Sequence, residues 1–66
     1  MQIVLNGKET EIEGKMKITE FLKLKDLSPD RIVVEYNYEI LKKEDWDKVT
    51  LKENDNLEVL SFVGGG

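Results

Sequence analysis

The chain has only 66 residues and contains no cysteine, so the packing of its own side chains has to hold it together. Disulfide bonds and thiolate metal sites are excluded, and a domain of this size buries only about 60% of the surface that its unfolded chain exposes. Histidine is absent as well, which removes the commonest metal ligand and the usual general base near neutral pH. We therefore expect one domain with a single small core and little room for a deep pocket.

A β-hairpin is expected at the start of the chain. Residues 1–5 alternate loosely between apolar and polar side chains, which predicts a strand. Asn6-Gly7 follows, and this dipeptide is the one best suited to a type I′ turn. Residues 8–12 then form the returning strand.

A short amphipathic helix is expected next. From Ile18 onward, apolar side chains recur at the i, i+3, i+4 spacing of one helix face. Thr19 can act as the N-cap, because its hydroxyl can accept from a free N–H of the first turn. Pro29 ends the segment, since proline restricts the residue before it and has no N–H. We expect the helix over residues 20–27.

The second half of the chain reads mainly as strands. Residues 32–36 are β-branched and aromatic, and a tight turn at Asn37-Tyr38 leads into a short strand over residues 39–41. Residues 49–51 predict a brief edge strand, and residues 57–62 predict the last one. The fold class is therefore α+β, with a mixed sheet of about five strands packed on one short helix.

The charge of the chain excludes some kinds of partner. It carries 14 acidic and 10 basic residues, a net charge of −4, and no clustered basic stretch. Nucleic acid and acidic membranes are therefore poor partners, whereas a protein with a basic surface would complement the negative charge. The alternative is that the charge simply keeps a small domain in solution. No segment resembles a signal peptide or is long enough to span a bilayer, so we expect a cytoplasmic protein that is a monomer when free. No spacing predicts a metal or cofactor site.

The last strand runs directly into glycines. Because glycine has no Cβ, the segment Gly64-Gly65-Gly66 could enter a channel too narrow for other residues. We expect a folded domain over residues 1–63 and a flexible tail over residues 64–66, with the terminal carboxylate as the working group. A frayed terminus or a remnant of an expression vector would leave the same glycines.

Strand alternation suggests where a partner would dock. If Leu57 and Val59 face the core, Leu60 and Phe62 lie on the solvent side next to the glycines. Exposed apolar side chains in that position predict a partner interface. The alternative is that sheet twist or a loop carrying Trp46 covers them.

The segment order, the length and the glycine ending together resemble the ubiquitin-like β-grasp fold and, within it, the ThiS family of sulfur carriers for thiamine biosynthesis. The resemblance covers nearly the whole chain, and four segments carry it: residues 1–7, 33–37, 44–46 and 54–66. Family members often have glycine where this chain has Tyr38, and two terminal glycines suffice where this chain has three.

The resemblance implies a carrier and not an enzyme. In that family a ThiF-like adenylyltransferase uses ATP to convert the terminal glycine carboxylate to an acyl-adenylate, and a persulfide donor then supplies sulfur to form a thiocarboxylate. The thiocarboxylate delivers its sulfur to a ThiG-like thiazole synthase. Carried over to this chain, the modified residue is Gly66, and Gly64 and Gly65 enter the partner's site.

Other functions compete with this interpretation. The small subunit of molybdopterin synthase shares the fold and a diglycine ending, although the short chain and Phe62-Val63 favour the thiamine carrier. A β-grasp module that binds partners without carboxyl chemistry would not need its glycines. A small enzyme would need a nucleophile, a base and a pocket, and the sequence supplies none of these.

Overall fold

A computed structural model describes residues 1–62, and in these residues a five-stranded sheet packs on one helix. The helix, α1, spans Ile18–Leu24, and the two short 3₁₀ helices span Pro29–Arg31 and Lys43–Lys48. The strands are β1 (Gln2–Leu5), β2 (Lys8–Glu11), β3 (Ile32–Tyr36), β4 (Glu39–Leu41) and β5 (Asn56–Ser61).

The sheet is mixed, as predicted, and its strand order is β2-β1-β5-β3-β4. β1 and β5 run parallel, with Val4 opposite Asn56, whereas the other neighbouring strands are antiparallel. The last strand is therefore the central one. β1 pairs only with the first two residues of β5, whereas β3 pairs with β5 from Leu57 to Ser61.

Both predicted tight turns are confirmed. Asn6 and Gly7 have φ values of 51° and 81°, and Asn37 and Tyr38 have φ values of 49° and 73°. Positive φ at both central residues is the mark of a type I′ turn, whose twist matches that of the flanking strands. Tyr38 adopts this conformation without being glycine, at a position where a bulky residue is uncommon.

The start of α1 differs from the prediction. The N-cap is Lys17 and not Thr19, because Glu20 accepts a 2.8 Å hydrogen bond from the Lys17 backbone N–H and so closes the first turn earlier. Thr19 lies inside this turn, and its Oγ1 is buried without a hydrogen-bond partner among the described residues.

The helix also ends earlier than predicted, at Leu24. Asp26 adopts φ 57°, its N–H donates to the Lys23 carbonyl, and the Leu27 N–H donates to the Leu22 carbonyl at 3.2 Å. These two bonds form a Schellman motif, which satisfies carbonyls of the last turn. The stop signal is thus Asp26, and Pro29 instead begins the first 3₁₀ helix.

The predicted edge strand over residues 49–51 is wrong. The segment pairs with the loop before α1 and not with the sheet: Ile18 N–H donates to the Val49 carbonyl at 3.0 Å, and Leu51 N–H donates to the Met16 carbonyl at 2.8 Å. Only an isolated bridge between Lys17 and Thr50 results.

The core lies between the sheet and α1 and is closed at one side by the second 3₁₀ helix. Trp46 packs there, 5% exposed, and its Nε1 donates to the Leu41 carbonyl at 3.0 Å. The buried apolar side chains are Ile3, Ile12, Ile18, Phe21, Leu22, Ile32, Val34, Trp46, Leu51, Leu57 and Val59.

Candidate functional site

The candidate site is the face of the sheet that points away from α1, which we call the outer face. Leu57 and Val59 point to the core and are 0% and 8% exposed. The alternate positions therefore point outward, and Leu60 and Phe62 are 54% and 47% exposed. Their predicted exposure is confirmed, and Trp46 does not cover them, because it lies in the core. Their role as a partner interface stays a prediction.

Two further apolar residues lie on the β3–β4 side of this face. Val33 of β3 lies directly opposite Leu60, and Ile40 of β4, which is 69% exposed, lies opposite Glu35. We call Val33, Ile40, Leu60 and Phe62 the outer apolar patch. Val33 and Ile40 were not predicted from the sequence, although the alternation around buried Val34 would have placed Val33 on the outer face.

Phe62 stays in line with the sheet beyond the end of β5. Its N–H donates to the Arg31 carbonyl at 2.9 Å, which continues the pairing of β5 with the chain that leads into β3. The last described residue is therefore held by the main chain. Residues 63–66, which include the predicted site residues Gly64, Gly65 and Gly66 and the predicted domain boundary after residue 63, lie outside the described residues.

Asn6 holds the middle of β5 from the side opposite β3. Its backbone N–H donates to the Leu57 carbonyl at 2.9 Å. Its side chain then accepts from Val59 N–H at 2.8 Å and donates to the Val59 carbonyl at 3.3 Å. An amide side chain thus replaces the next residue of a parallel strand, and it holds β5 in place past the end of β1. From the sequence, Asn6 was predicted only to form the turn with Gly7.

A buried carboxylate fixes the other end of β5. Asp55 is 6% exposed and accepts hydrogen bonds from the Lys52 N–H at 2.7 Å, the Tyr36 hydroxyl at 2.7 Å and Asn37 Nδ2 at 3.3 Å. Burial, together with the hydrogen bond to Asp55 and the charge of its carboxylate, raises the pKa of Tyr36 to about 12. This network ties the β3–β4 turn to the start of the central strand.

No group of three or more acidic side chains within residues 1–62 could hold a metal ion. A hydrogen bond and ion pair with Lys43 lowers the pKa of Asp30, but this pair lies on the surface at the start of β3. What the arrangement offers is a sheet with an exposed apolar face that extends to Phe62, the last described residue.

No helix in the described part of the chain has both the length and the apolar character needed to cross a membrane.

Comparison with known proteins identifies the family. The model of the ThiS family matches residues 3–66. The chain belongs to the ThiS family. The crystal structure of the thiamine biosynthesis protein ThiS from Geobacter metallireducens superposes with a TM-score of 0.85 at 38% identity, and the match covers 100% of both chains. The ubiquitin-like β-grasp fold is thereby confirmed.

Curated relatives agree with this assignment. The sulfur carrier protein ThiS of Bacillus subtilis is 36% identical over 63 residues, which cover 94% of this chain and 96% of the relative. A thiazole synthase of Paramagnetospirillum magneticum is 32% identical over 66 residues, which cover 100% of this chain but only 20% of that enzyme. This chain thus spans about a fifth of the length of that relative.

Proposed function

We propose that this ThiS-family protein carries sulfur for thiazole formation in thiamine biosynthesis, with the Gly66 carboxylate as the carrying group. The observation that carries the proposal is the extent of the family match, which runs from residue 3 through all three glycines to residue 66. The full-length match to a thiamine biosynthesis protein supports the pathway. The thiazole synthase with a segment similar to this whole chain supports an association with that enzyme.

The chemistry requires activation of a poor electrophile. A ThiF-like adenylyltransferase joins the Gly66 carboxylate to the α-phosphorus of ATP and releases pyrophosphate. The terminal sulfur of a persulfide donor then attacks the carbonyl carbon, one former carboxylate oxygen leaves with AMP, and an acyl disulfide forms. A second partner thiol then attacks the donor's sulfur, so that the S–S bond breaks, a disulfide forms between the two partner cysteines, and the sulfur bound to Gly66 keeps both electrons. The product is a thiocarboxylate, which a ThiG-like thiazole synthase accepts as its sulfur source.

The protein contributes presentation and not catalysis. Its sequence has no cysteine or histidine to serve as a nucleophile or as a base near neutral pH. Partner enzymes supply the reactive groups, and the outer apolar patch supplies the surface by which they hold the carrier. We therefore assign the protein no enzymatic activity of its own.

The reach of the C-terminal segment limits where docking occurs. Four residues follow Phe62, and even fully extended they span at most about 14 Å. Ordering them costs on the order of 4–8 kcal/mol, at 1–2 kcal/mol per residue. Contacts at Leu60 and Phe62, which lie nearest this segment, are well placed to offset that cost. The partner's catalytic centre therefore lies within this reach of its contact with Phe62.

Intact-mass measurement tests the proposal. The protein is incubated with the adenylyltransferase of its source organism, ATP, a persulfide donor and a thiol reductant that cleaves the acyl disulfide. We expect the mass increase for replacing one oxygen by sulfur, and fragmentation should assign the change to Gly66. An unchanged mass would contradict the proposal and favour an interaction module.

A second assay separates the two carrier pathways. Thiocarboxylated protein is offered in parallel to thiazole synthase and to the large subunit of molybdopterin synthase. We expect sulfur transfer to the first only, whereas transfer to the second alone would assign the protein to molybdopterin synthesis.

A further inference from the structure

Two glutamates face each other at the centre of the outer face. Glu35 of β3 and Glu58 of β5 are direct partners in an antiparallel pair, and both are partly buried. Side chains in such positions have Cβ atoms about 5 Å apart, and like charges there destabilise the sheet. Within residues 1–62, neither carboxylate forms a salt bridge with a lysine, an arginine or the N-terminal amine.

The rest of the outer face does not offset this charge. The other charged strand positions on this face are also acidic: Glu9 and Glu11 of β2, of which Glu11 accepts from the N-terminal amine at 3.3 Å. Arg31 and Lys42 lie just outside the strands, towards the end that carries Phe62, and form no salt bridge with Glu35 or Glu58. The centre of the face is therefore negative and uncompensated.

Apolar side chains surround the glutamate pair. Ile40 lies opposite Glu35 on β4, and Leu60 follows Glu58 by two residues on the same face of β5. A protein that covers these apolar side chains also removes water from the two carboxylates. Buried charge without a counter-ion is costly, so a partner that fits this surface has to bring a cation.

We infer that the adenylyltransferase docks on the outer apolar patch by inserting one arginine between Glu35 and Glu58. Arginine suits the site because its planar guanidinium carries five donors and can bind two carboxylates at once. The inference rests on the proposed function, which names this partner. A second copy of the chain would not fit, because pairing two outer faces would bring both glutamate pairs together.

The register of β5 also gives the position of this arginine. Glu58 precedes Phe62 by four residues, a separation of about 13 Å along the strand. The arginine therefore contacts the carrier about 13 Å from Phe62, on the side away from the glycines. The contact that anchors the carrier, at Glu35 and Glu58, is thus separate from the C-terminal carboxylate at which adenylation occurs.

Steady-state adenylation tests the inference. Pyrophosphate exchange by the adenylyltransferase is measured at varied concentrations of the wild-type carrier, of Glu35→Gln, of Glu58→Gln and of the double variant. Glu13→Gln is the matched control, because Glu13 is exposed in the turn after β2 and forms no salt bridge. We expect each single substitution to raise the KM for the carrier about fivefold with little change in kcat.

Two further readouts distinguish a shared arginine from other causes. The double variant should raise KM by only about tenfold, less than the product of the single effects, because one arginine serves both carboxylates. All three glutamine variants should unfold at the same temperature as the wild type or a higher one, since a like-charge pair has been relieved.

Several results would overturn the inference. KM values of the Glu35 and Glu58 variants within about twofold of wild type would do so, and so would an equal rise in KM for Glu13→Gln. A double variant whose KM rises by the full product of the single effects would exclude a shared arginine. A lower unfolding temperature of the glutamine variants would mean that the glutamate pair stabilises the fold. If the wild-type protein itself supports no exchange, the proposed function fails together with the inference. If the wild-type protein supports normal exchange and the variants keep its KM, the inference is wrong and the proposed function stands.

Discussion

At the scale of single residues, the described structure depends on polar side chains that hold the ends of β5. The Asn6 side chain makes the bonds to Val59 that a longer β1 would otherwise supply, and the Asp55 carboxylate ties the loop before β5 to the β3–β4 turn. Their roles were not predictable from the sequence, because asparagine and aspartate in turn segments are usually solvated. Only the fold decides that Asp55 is buried.

The Tyr36–Asp55 hydrogen bond predicts a loss of stability at alkaline pH. The pKa of Tyr36 is about 12 in the folded protein, against 10.0 for the ordinary side chain. Because the folded value is raised, the stabilisation is fully present below pH 10 and is lost as pH rises from 10 through 12. Tyr36→Phe should lower the free energy of unfolding by about 1 kcal/mol at pH 7 and remove this part of the alkaline loss.

Urea unfolding at pH 8 and pH 11 measures this effect. Tyr38→Phe is the matched control, because Tyr38 is 78% exposed and forms no side-chain hydrogen bond among the described residues. The control should keep the wild-type alkaline loss. If Tyr36→Phe lost as much stability between pH 8 and pH 11 as the control does, the Tyr36–Asp55 hydrogen bond would not be the source of the alkaline loss.

At the residue scale, the alternation of β5 was the reliable guide. A period of two places Leu57 and Val59 inward and Leu60 and Phe62 outward, and the exposures agree. Hydroxyl capping was not a reliable guide, because Thr19 competes with the Lys17–Glu20 pair for the helix start. A threonine at the N-cap and a glutamate in the first turn both favour a helix start, and the packing of Ile18 into the core selects the start at Lys17.

At the scale of elements, the hairpins, the helix and the last strand were predictable. The exact ends of the helix and the pairing partner of residues 49–51 were not. Strand periodicity and the Asn6-Gly7 turn depend on local chemistry, which the sequence shows directly. The segment over residues 49–51 looked like a strand because it is apolar, but its partner is the loop before α1. Pairing of this kind is set by tertiary contacts.

The Asn6 side chain predicts a coupling between the first hairpin and the last strand. Asn6→Gly keeps a residue that tolerates the φ of 51° but removes both bonds to Val59. We expect the free energy of unfolding to fall by about 1–2 kcal/mol. The Val59 amide should also exchange its hydrogen faster than in the wild type.

Asn54→Gly is the control for this experiment. Asn54 also has a positive φ, 68°, but its side chain makes no hydrogen bond in the described residues. Denaturant unfolding and amide exchange should show no loss in this variant. Equal losses in both variants would mean that glycine itself, and not the missing bonds, weakens the protein.

At the scale of the whole molecule, the sheet order brings function and fold together. β5 is both the central strand and the one that leads to the glycines, so the middle of the sheet is connected directly to the C-terminal segment. Local patterns could not predict this position, because it depends on the parallel pairing of residues distant in sequence. The Glu35–Glu58 pair was hidden for the same reason, since it exists only in the β3–β5 register.

Phe62→Glu tests the docking surface. Because Phe62 is 47% exposed, we expect the variant to fold with an unfolding free energy within about 1 kcal/mol of wild type. Its KM in adenylation should rise by about tenfold or more, since a charge would be buried at the partner contact.

Leu24→Glu serves as the control for Phe62→Glu. Leu24 is 72% exposed on α1, which lies on the opposite side of the sheet. This variant should bind the adenylyltransferase normally. Unfolding of Phe62→Glu would show that Phe62 is a core residue, and equal KM values for the two variants would place the docking surface elsewhere.

The central claim is that sulfur travels on the carboxylate of Gly66. The most direct measurement compares the intact protein with a form lacking Gly65 and Gly66 in a reconstituted thiazole synthase reaction, with labelled sulfur counted in the product. The two forms should unfold at the same temperature, because the described core contains neither residue. We predict sulfur transfer from the intact protein and none from the shortened one; equal transfer from both would contradict the account.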